Sequence, residues 1–301
     1  METMKILLYL LIFPGFLFTA VCGMLASFID RKLTARVQWR RGPPLLQPLY
    51  DFIKLLGKET IVPKSANKLT FFLAPIIGFA VVILVSTILG LTLINSETSF
   101  AGDLIVVIYL LTIPSLCIII GGFSSGNPIA SLGASREMRL ILGYELPFVL
   151  SILVPVIKSG SIKLGEIVTS TYAISSISGI IALVVSIICM QAKLGLIPFD
   201  APEAEQEIIA GSFIEYSGTP LAIFKLTKWM LLFVLPVFLI TVFMPTKNVI
   251  SFIIKYLILL VVVILIKNTN PRLRVDQIIK FSWIYLTVLS FIAVIYALKG
   301  L

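Results

Sequence analysis

Eight predominantly apolar segments, each 18 to 27 residues long, constrain the fold of this 301-residue chain more than any other feature. They lie at about 5–29, 69–95, 104–122, 138–157, 177–197, 220–244, 249–266 and 281–298. A helix needs roughly 20 apolar residues to cross the hydrocarbon core of a bilayer. The runs are continuous rather than alternating, which favours helices over barrel strands. We therefore predict an all-α polytopic membrane protein with about eight transmembrane helices.

Composition supports a chain that folds in lipid. It is 58% hydrophobic and 13% charged, with a mean hydropathy of +1.08, whereas about a quarter of the residues of a soluble protein are charged. No long hydrophilic stretch offers a second folding unit, so we expect a single membrane domain over residues 1–301. The first apolar run is too long for a signal peptide and lacks a convincing cleavage site, so we keep it as a span.

The distribution of lysine and arginine predicts the orientation. With the N-terminus outside, the inside loops are about 30–68, 123–139, 191–228 and 267–280, and they hold 18 of the 24 basic residues. Cytoplasmic loops are enriched in such residues. We therefore predict a multi-pass protein of the cell membrane with both termini outside and these loops in the cytoplasm. Basic residues beside spans anchor to headgroups, which argues against nucleic-acid binding.

The residues that commonly carry catalysis or bind metals are scarce. The chain has no histidine, and its three cysteines, Cys22, Cys117 and Cys189, are far apart in sequence. An iron–sulfur cluster needs about four thiolates, and zinc usually needs cysteine and histidine at short spacing. We therefore predict no metal site, no other cofactor and no catalytic residue within this chain.

The first cytoplasmic loop begins with a dense charged cluster ahead of the rigid turn Gly42-Pro43-Pro44. The cluster is Asp30, Arg31, Lys32, Arg36, Arg40 and Arg41. One interpretation is topological anchoring, in which the basic residues hold the loop inside. The other is a docking surface for a soluble partner, because six charges in 12 residues exceed what anchoring needs.

A short amphipathic helix is predicted after this turn. Pro48 suits its first turn and Gly57 its end. Leu49, Phe52, Ile53 and Leu56 fall on one face, so the helix should lie in the membrane interface.

The segment between the fifth and sixth spans is strongly acidic. Five of the 15 acidic residues fall within 16 positions there, without an intervening basic residue. They are Asp200, Glu203, Glu205, Glu207 and Glu215. We expect Asp200 to cap a helix in which Glu203 and Glu207 share a face. Clustered carboxylates repel, so some should have raised pKa values and be able to pass protons. The alternative is a solvated acidic loop.

One carboxylate lies inside a predicted span, where charges are costly and usually functional. Glu145 precedes Pro147 and does not share a helix face with Arg139, so its partner should be on another helix or be water. It is either a proton-relay group or half of a structural ion pair. Lys193, near the inner end of the fifth span, is expected to extend to the headgroups.

Several of these segments, in this order, resemble one known family. They are Asp30-Arg31-Lys32, Arg36, Gln38, Arg41-Gly42-Pro43, Leu46-Gln47-Pro48, Asp51, Lys54-Leu55, Lys58-Glu59, Gly133-Ala134, Arg136, Tyr144-Glu145, Pro198-Phe199-Asp200, Pro202 through Glu207, Glu215-Tyr216-Ser217-Gly218, Pro271-Arg272, Arg274 and Asp276-Gln277. The chain resembles the subunit-1, or H-type, membrane family of respiratory complex I and of the related energy-converting [NiFe] hydrogenases.

The resemblance implies an eight-helix membrane component beneath a hydrophilic redox arm. In complex I the cytoplasmic loops of this component help to form the quinone chamber, and its carboxylates lead into the proton-pumping arm. Carried over, Glu203, Glu205, Glu207 and Glu215 would line the entrance, and Glu145 would continue the path within the membrane.

The first loop departs from the quinone-type pattern. Quinone-type members usually place more residues, including a second Gly-Pro, between Arg-Gly-Pro and Leu-Gln-Pro, whereas here the two motifs nearly join. The short loop resembles the hydrogenase branch. That branch implies hydrogenase large and small subunits with a [NiFe] centre and iron–sulfur clusters, antiporter-like membrane subunits, a ferredoxin donor and H+ or Na+ transport. The alternatives are a quinone-site subunit of an NADH- or ferredoxin-quinone oxidoreductase, and a stand-alone secondary transporter.

Overall fold

The computed structural model describes residues 2–170, 172–246 and 248–301, without the side chains of Glu2, Thr3 and Glu205. Across these residues the regular structure is helical. The α-helices are α1 (Glu2–Leu11), α2 (Phe16–Val37), α3 (Gln47–Leu56), α4 (Lys68–Ile94), α5 (Asp103–Leu110), α6 (Ile113–Ser124), α7 (Pro128–Ser159), α8 (Leu164–Thr169), α9 (Ile177–Lys193), α10 (Glu205–Ile208), α11 (Gly218–Phe243), α12 (Val249–Thr269), α13 (Val275–Lys280) and α14 (Thr287–Leu298).

Seven helical segments of the described chain are long and apolar enough to cross a membrane. They are Met4–Val37, Lys68–Ile94, Asp103–Ser124, Pro128–Ser159, Gly218–Phe243, Val249–Thr269 and Val275–Leu298. The predicted span at 177–197 corresponds to α9, a shorter apolar helix of 17 residues. The prediction of an all-α polytopic membrane protein is confirmed.

Helix α7 begins ten residues before the predicted span at 138–157. The Asn127 side chain accepts a hydrogen bond from the backbone nitrogen of Ile129 at 2.8 Å, and Pro128 occupies the first turn. An asparagine that caps the first turn and a proline within that turn both favour the start of a helix. The sequence around Arg136 and Arg139 is too charged to be read as a span, but the neighbouring helices and loops accommodate it.

Helix α11 lies at the centre of the bundle and is almost wholly buried. It packs against α2 on one side and α4 on another, while α7 packs against α6, α9 and α14. Small residues permit the close approaches. A Cβ atom at Gly23 of α2 would lie 2.7 Å from the Trp229 carbonyl oxygen of α11.

The predicted amphipathic helix is present as α3, with Gly57 at its end. Pro48 and Leu55 are buried, and α3 packs on α2 and α11, whereas Leu49, Ile53 and Leu56 are exposed. An exposed apolar face beside a membrane bundle fits a helix lying in the interface.

The acidic segment does not form the capped helix that the sequence predicts. Ala201–Glu203 is a 3-10 turn, and α10 covers only the four residues that follow Ala204. Asp200 makes no capping hydrogen bond. Glu203 and Glu207 therefore do not share one helical face. The physical reason is that both carboxylates bind basic side chains on other helices, which outweighs the local helix preference.

Candidate functional site

Basic residues from two helices anchor the middle of the acidic loop. Glu203 forms an ion pair with Lys228 of α11. The Arg136 guanidinium of α7 donates to Glu207 at 2.5 Å and to the Ala201 carbonyl oxygen at 3.2 Å. The carboxylates are thus distributed over separate partners rather than gathered into one repelling cluster.

Asp200, at the start of the acidic loop, has a basic partner in another segment of the chain. Arg272, in the segment before α13, lies 2.9 Å from its carboxylate. Burial raises the pKa of Asp200, and the charges of Glu203 and Glu207 add to this rise, while the Arg272 guanidinium opposes it. The expectation of a raised pKa thus holds for this group, mainly because of desolvation.

Glu215 contacts a different part of the fold from Glu203 and Glu207. Its carboxylate accepts a hydrogen bond of 2.5 Å from the Asn127 amide at the start of α7. The adjacent Tyr216 stacks on Phe71 of α4 with ring centroids 4.1 Å apart, and burial raises its pKa to about 12. This end of the loop is therefore firmly packed against the bundle. The side chain of Glu205 lies outside the described residues.

Glu145 is paired with another helix. The Lys193 ammonium of α9 lies 2.9 Å from its carboxylate, and the lysine side chain is 1% exposed. The expectation that Lys193 extends to the headgroups is wrong, because the ammonium finds a carboxylate and two aromatic faces inside the bundle. It lies 5.2 Å from the ring centroid of Tyr144 and 4.8 Å from that of Phe148.

A further carboxylate, which the sequence did not single out, lies between these pairs. Glu137 of α7 is 7% exposed. It lines a cavity of about 20 Å³ together with Ser115, Lys193, Glu203 and Lys228, which is room for a water molecule. Its spacing of seven residues from Tyr144 places both on one helix face. This shared face is not visible from the predicted span, because that span begins at residue 138, one residue after Glu137.

The small cavity adjoins a larger pocket at the loop. This pocket, of about 300 Å³, is lined by Glu203, Ala210, Phe213, Leu221, Phe224, Lys225 and Lys228. Glu203 and Lys228 line both spaces. One ion pair therefore separates the loop pocket from the buried groups Glu137 and Lys193.

The predicted docking cluster divides into two parts. Asp30 pairs with Lys267 of α12 at 2.8 Å, and Arg31 pairs with Asp51 of α3 at 2.6 Å. Partial burial acts to raise the pKa of Asp51, but hydrogen bonds from Arg31 and Gln47 outweigh it, so the pKa is lowered. These two members of the cluster therefore fix the base of the loop.

The other members remain accessible around an open groove of about 590 Å³. It is lined by Lys32, Arg36, Trp39, Arg40, Arg41 and Gly42. Trp39 is 97% exposed and has a left-handed backbone, with φ of +57°. A basic groove with an exposed indole suits an acidic surface on a partner.

Among the residues that the structure describes, no group of three or more histidine, cysteine, aspartate or glutamate side chains could hold a metal ion. Cys117 and Cys189 are buried free thiols, and Cys22 is half-buried.

Comparisons with known proteins match nearly the whole chain. Residues 8–298 match the family described as NADH dehydrogenase. The H-type subunit of the NADH-quinone oxidoreductase of one Dehalococcoides mccartyi strain is 35% identical, over 95% of this chain and 84% of that protein. Its counterpart in a Geobacillus species is 34% identical, over 87% and 83%.

A solved structure agrees with the fold. A chain of the membrane-bound sulfane sulfur reductase, an archaeal respiratory membrane complex, superposes with a TM-score of 0.83 at 28% identity. The match covers 97% of this chain and 99% of that one.

Proposed function

Because the chain belongs to the NADH dehydrogenase family and is the H-type membrane subunit of a complex-I-like respiratory complex, we propose that it anchors an energy-converting [NiFe] hydrogenase and couples its redox chemistry to ion transport. The chain itself is non-catalytic. Hydrogenase activity would reside in partner large and small subunits, which would hold the [NiFe] centre and iron–sulfur clusters. Ferredoxin would be the electron donor, and antiporter-like subunits would move H+ or Na+.

The observation that carries the coupling role is the row of charged groups running inward from the loop pocket. Glu203 and Lys228 separate that pocket from a small cavity, which Glu137 and Lys193 also line. Lys193 in turn holds Glu145. Ionisable groups inside a membrane are costly, and such rows mark ion and proton pathways.

The geometry supports a simple coupling sequence. A redox event in a soluble partner would move the acidic loop and separate Glu203 from Lys228. The released ammonium would then be drawn towards Glu137, across the small cavity that both side chains line. The altered field would reach the Lys193–Glu145 pair, and a neighbouring membrane subunit would take the signal from there.

The docking role implies on which side of the membrane the loops and the termini lie. The acidic loop and the basic groove would face the cytoplasm, where they meet the soluble subunits, and both termini would lie outside. The groove residues Arg36 and Arg40 would contact an acidic surface of that soluble arm.

One feature supports the hydrogenase branch, and a second separates the chain from the longer quinone-type members. The first loop joins Gly42-Pro43-Pro44 almost directly to Leu46-Gln47-Pro48, without the longer insertion of quinone-type members. The chain also covers 99% of the matched sulfane sulfur reductase chain but 84% of the Dehalococcoides mccartyi protein. Both features favour the short form of the family.

A quinone-site role is the second candidate. The curated relatives are H-type subunits of NADH-quinone oxidoreductases, and the loop pocket has aromatic walls at Phe213 and Phe224 beside Lys225. Such a pocket suits a flat apolar ring that carries acceptor oxygens.

Purification of the tagged chain in mild detergent tests the proposal. Nickel, iron and flavin are assayed in the eluate, and co-purifying proteins are identified. Nickel and iron without flavin, with several partners, supports the hydrogenase. Iron without nickel replaces it with the quinone-type or another complex-I-like assignment. A stable, metal-free chain without partners contradicts both and favours a stand-alone transporter.

A further inference from the structure

The turn that follows α2 holds a tryptophan in an unfavourable backbone conformation. Helix α2 ends at Val37, and two hydrogen bonds close it as in a Schellman motif. The Arg40 nitrogen donates to the Ala35 carbonyl oxygen at 2.7 Å, and the Trp39 nitrogen donates to the carbonyl oxygen of Arg36 at 3.1 Å. The left-handed position of this motif is usually a glycine. Here it is Trp39, with φ of +57°, a region in which a bulky side chain crowds the backbone.

The indole of Trp39 gains no burial in exchange for this conformation. The residue is 97% exposed, although an apolar ring of this size is usually largely buried. A side chain that is both strained and exposed contributes little to the stability of the chain alone. Such a departure from local preferences points to a role in binding.

The turn around Trp39 is fixed to the bundle. The Gln38 amide donates to Asn268 of α12 at 3.3 Å, and Arg40 donates to Gln38. A Cβ atom at Gly42 would lie 2.7 Å from the side chain of Lys32, so the returning chain lies close against α2. The indole is therefore presented from a fixed base, which lowers the ordering cost of binding.

The position of Trp39 relative to α3 favours a partner in water over the membrane. Arg31 of α2 pairs with Asp51 of α3 at 2.6 Å, so the interface helix lies at the level of Arg31. From Arg31 to Val37 the helix rises by about 9 Å, away from the apolar part of its span, at roughly 1.5 Å per residue. Trp39 follows the end of this rise. Its indole therefore lies on the aqueous side of α3.

The charges around Trp39 indicate the chemistry of the partner. The described lining of the groove holds four basic side chains, Lys32, Arg36, Arg40 and Arg41, and no acidic one. Tryptophan and arginine are among the side chains that most often carry the binding energy of an interface, and guanidinium groups bind carboxylates with paired hydrogen bonds. A complementary surface has an apolar cleft for the indole and carboxylates at the rim of that cleft.

We propose that Trp39 anchors the soluble arm by inserting its indole into an apolar cleft of a soluble subunit, whose rim carboxylates pair with Arg36 and Arg40. The anchor rests on the docking role of the basic groove in the proposed function, and it names the side chain that carries most of the binding energy there. Burial of the indole in the complex would offset the unfavourable backbone conformation, which the chain alone leaves uncompensated.

Photocrosslinking of the intact complex in mild detergent tests the occupant of this surface. Trp39→p-benzoylphenylalanine places a photoreactive aromatic group at the position of the indole, and crosslinked peptides are identified by mass spectrometry. The expected crosslink falls on a soluble subunit, in a peptide with apolar residues flanked by aspartate or glutamate. The same photoreactive group at Tyr109, which is 69% exposed on α5, is the control and should not reach that peptide.

Glycine at position 39 separates an anchor from a structural residue. Trp39→Gly relieves the left-handed conformation, so the thermal stability of the purified full chain should not fall. Binding of the soluble subunits should nevertheless weaken by ~30-fold, as expected for the loss of a hot-spot side chain. Release of these subunits from the membrane-bound complex at increasing salt concentration measures this loss. Trp39→Phe should retain more of the binding, because it keeps an aromatic ring.

Three outcomes overturn the anchor role. The first is a crosslink to lipid, to a second copy of this chain or to nothing, in a preparation that contains the soluble subunits; docking by Arg36 and Arg40 would then stand without the anchor. The second is unchanged retention of the soluble subunits in Trp39→Gly. The third is a loss of thermal stability of the Trp39→Gly chain that matches its loss of binding, which would make Trp39 a structural residue. Absence of soluble subunits from the wild-type preparation would overturn the docking role itself.

Discussion

The ammonium of Lys193 lies 2.9 Å from the carboxylate of Glu145, across the interface between α9 and α7. The lysine side chain is 1% exposed and the glutamate side chain 27%. Lys193 is thus fully buried, whereas Glu145 remains partly accessible to the surroundings of the bundle. An interior ammonium is therefore paired with a carboxylate that lies partly exposed on the bundle.

Removal of the ammonium should weaken the bundle. Lys193→Met leaves Glu145 without its counter-charge. Breaking a fully buried pair costs about 3–5 kcal/mol, and the 27% exposure of Glu145 should keep the loss below that range. The double variant Lys193→Met/Glu145→Gln should recover part of this loss, because no unpaired charge remains. Thermal unfolding of the purified complex measures both. Equal stability of the two variants would show that the pair is not energetically coupled.

Substitution of Glu137 tests whether the row of charged groups behind the loop pocket carries the proposed ion pathway. Glu137→Gln keeps the size of the side chain but cannot exchange a proton, so ion transport should fall severely while the complex still assembles. Transport is measured in proteoliposomes and compared with electron transfer in the same preparation. Glu166→Gln is the control, because that carboxylate is exposed and pairs with nearby Lys163. Unchanged transport in Glu137→Gln would remove Glu137 from the pathway.

Glu145→Gln should reduce ion transport with electron transfer at least partly retained. The amide can accept a hydrogen bond from Lys193 but carries no charge and no exchangeable carboxyl proton. Reconstituted transport and the subunit composition of the complex are measured together. Normal transport with normal assembly would leave Glu145 with a structural role only.

Asp200 should make stability depend on pH. Burial raises its pKa in the folded state, so the folded chain binds more protons than the unfolded chain between the two pKa values. The free energy of unfolding therefore falls as pH rises through that window. Arg272→Ala should steepen the fall, because the opposing guanidinium is gone. Asp200→Asn added to Arg272→Ala should abolish the extra slope, and its persistence would assign the effect to another group.

Close packing of α7 against the acidic loop should be sensitive to one methyl group. A Cβ atom at Gly133 would lie 2.6 Å from the Ser212 nitrogen, and overpacking costs about 1–3 kcal/mol. Gly133→Ala should therefore displace the loop, lower ion transport and reduce thermal stability. Gly57→Ala is the control, since its nearest contacts would be at 3.8 Å. Equal behaviour of the two variants would show that the loop tolerates displacement.

Charge reversal in the basic groove should release the soluble partners. Arg36→Glu/Arg40→Glu replaces attraction by repulsion at an accessible surface, while the ion pairs of Asp30 and Arg31 stay intact. Co-purification of partner subunits measures the effect. Lys163→Glu, at the other end of the bundle, should leave assembly unchanged. Normal assembly of the double variant would support topological anchoring instead.

Much of the architecture was predictable from local sequence properties. Continuous apolar runs predict membrane helices because lipid offers the backbone no hydrogen-bond partners. The amphipathic helix α3 was also predictable, since Pro48, Gly57 and the spacing of Leu49, Ile53 and Leu56 are local signals. The motifs around Arg136, Glu145 and the acidic loop were enough to indicate the family.

The arrangement of charges required the tertiary structure. Asp200 was expected to cap a helix, yet it pairs with Arg272, and Lys193 was expected to extend to the headgroups, yet it is buried beside Glu145. The burial of Glu137 depends on α11 and the acidic loop, which lie far from it in sequence. By itself the sequence determined where helices form, since that depends on neighbours along the chain. Only the tertiary structure decided which charges meet, because partners such as Lys228 and Glu203 lie on separate elements that packing brings together.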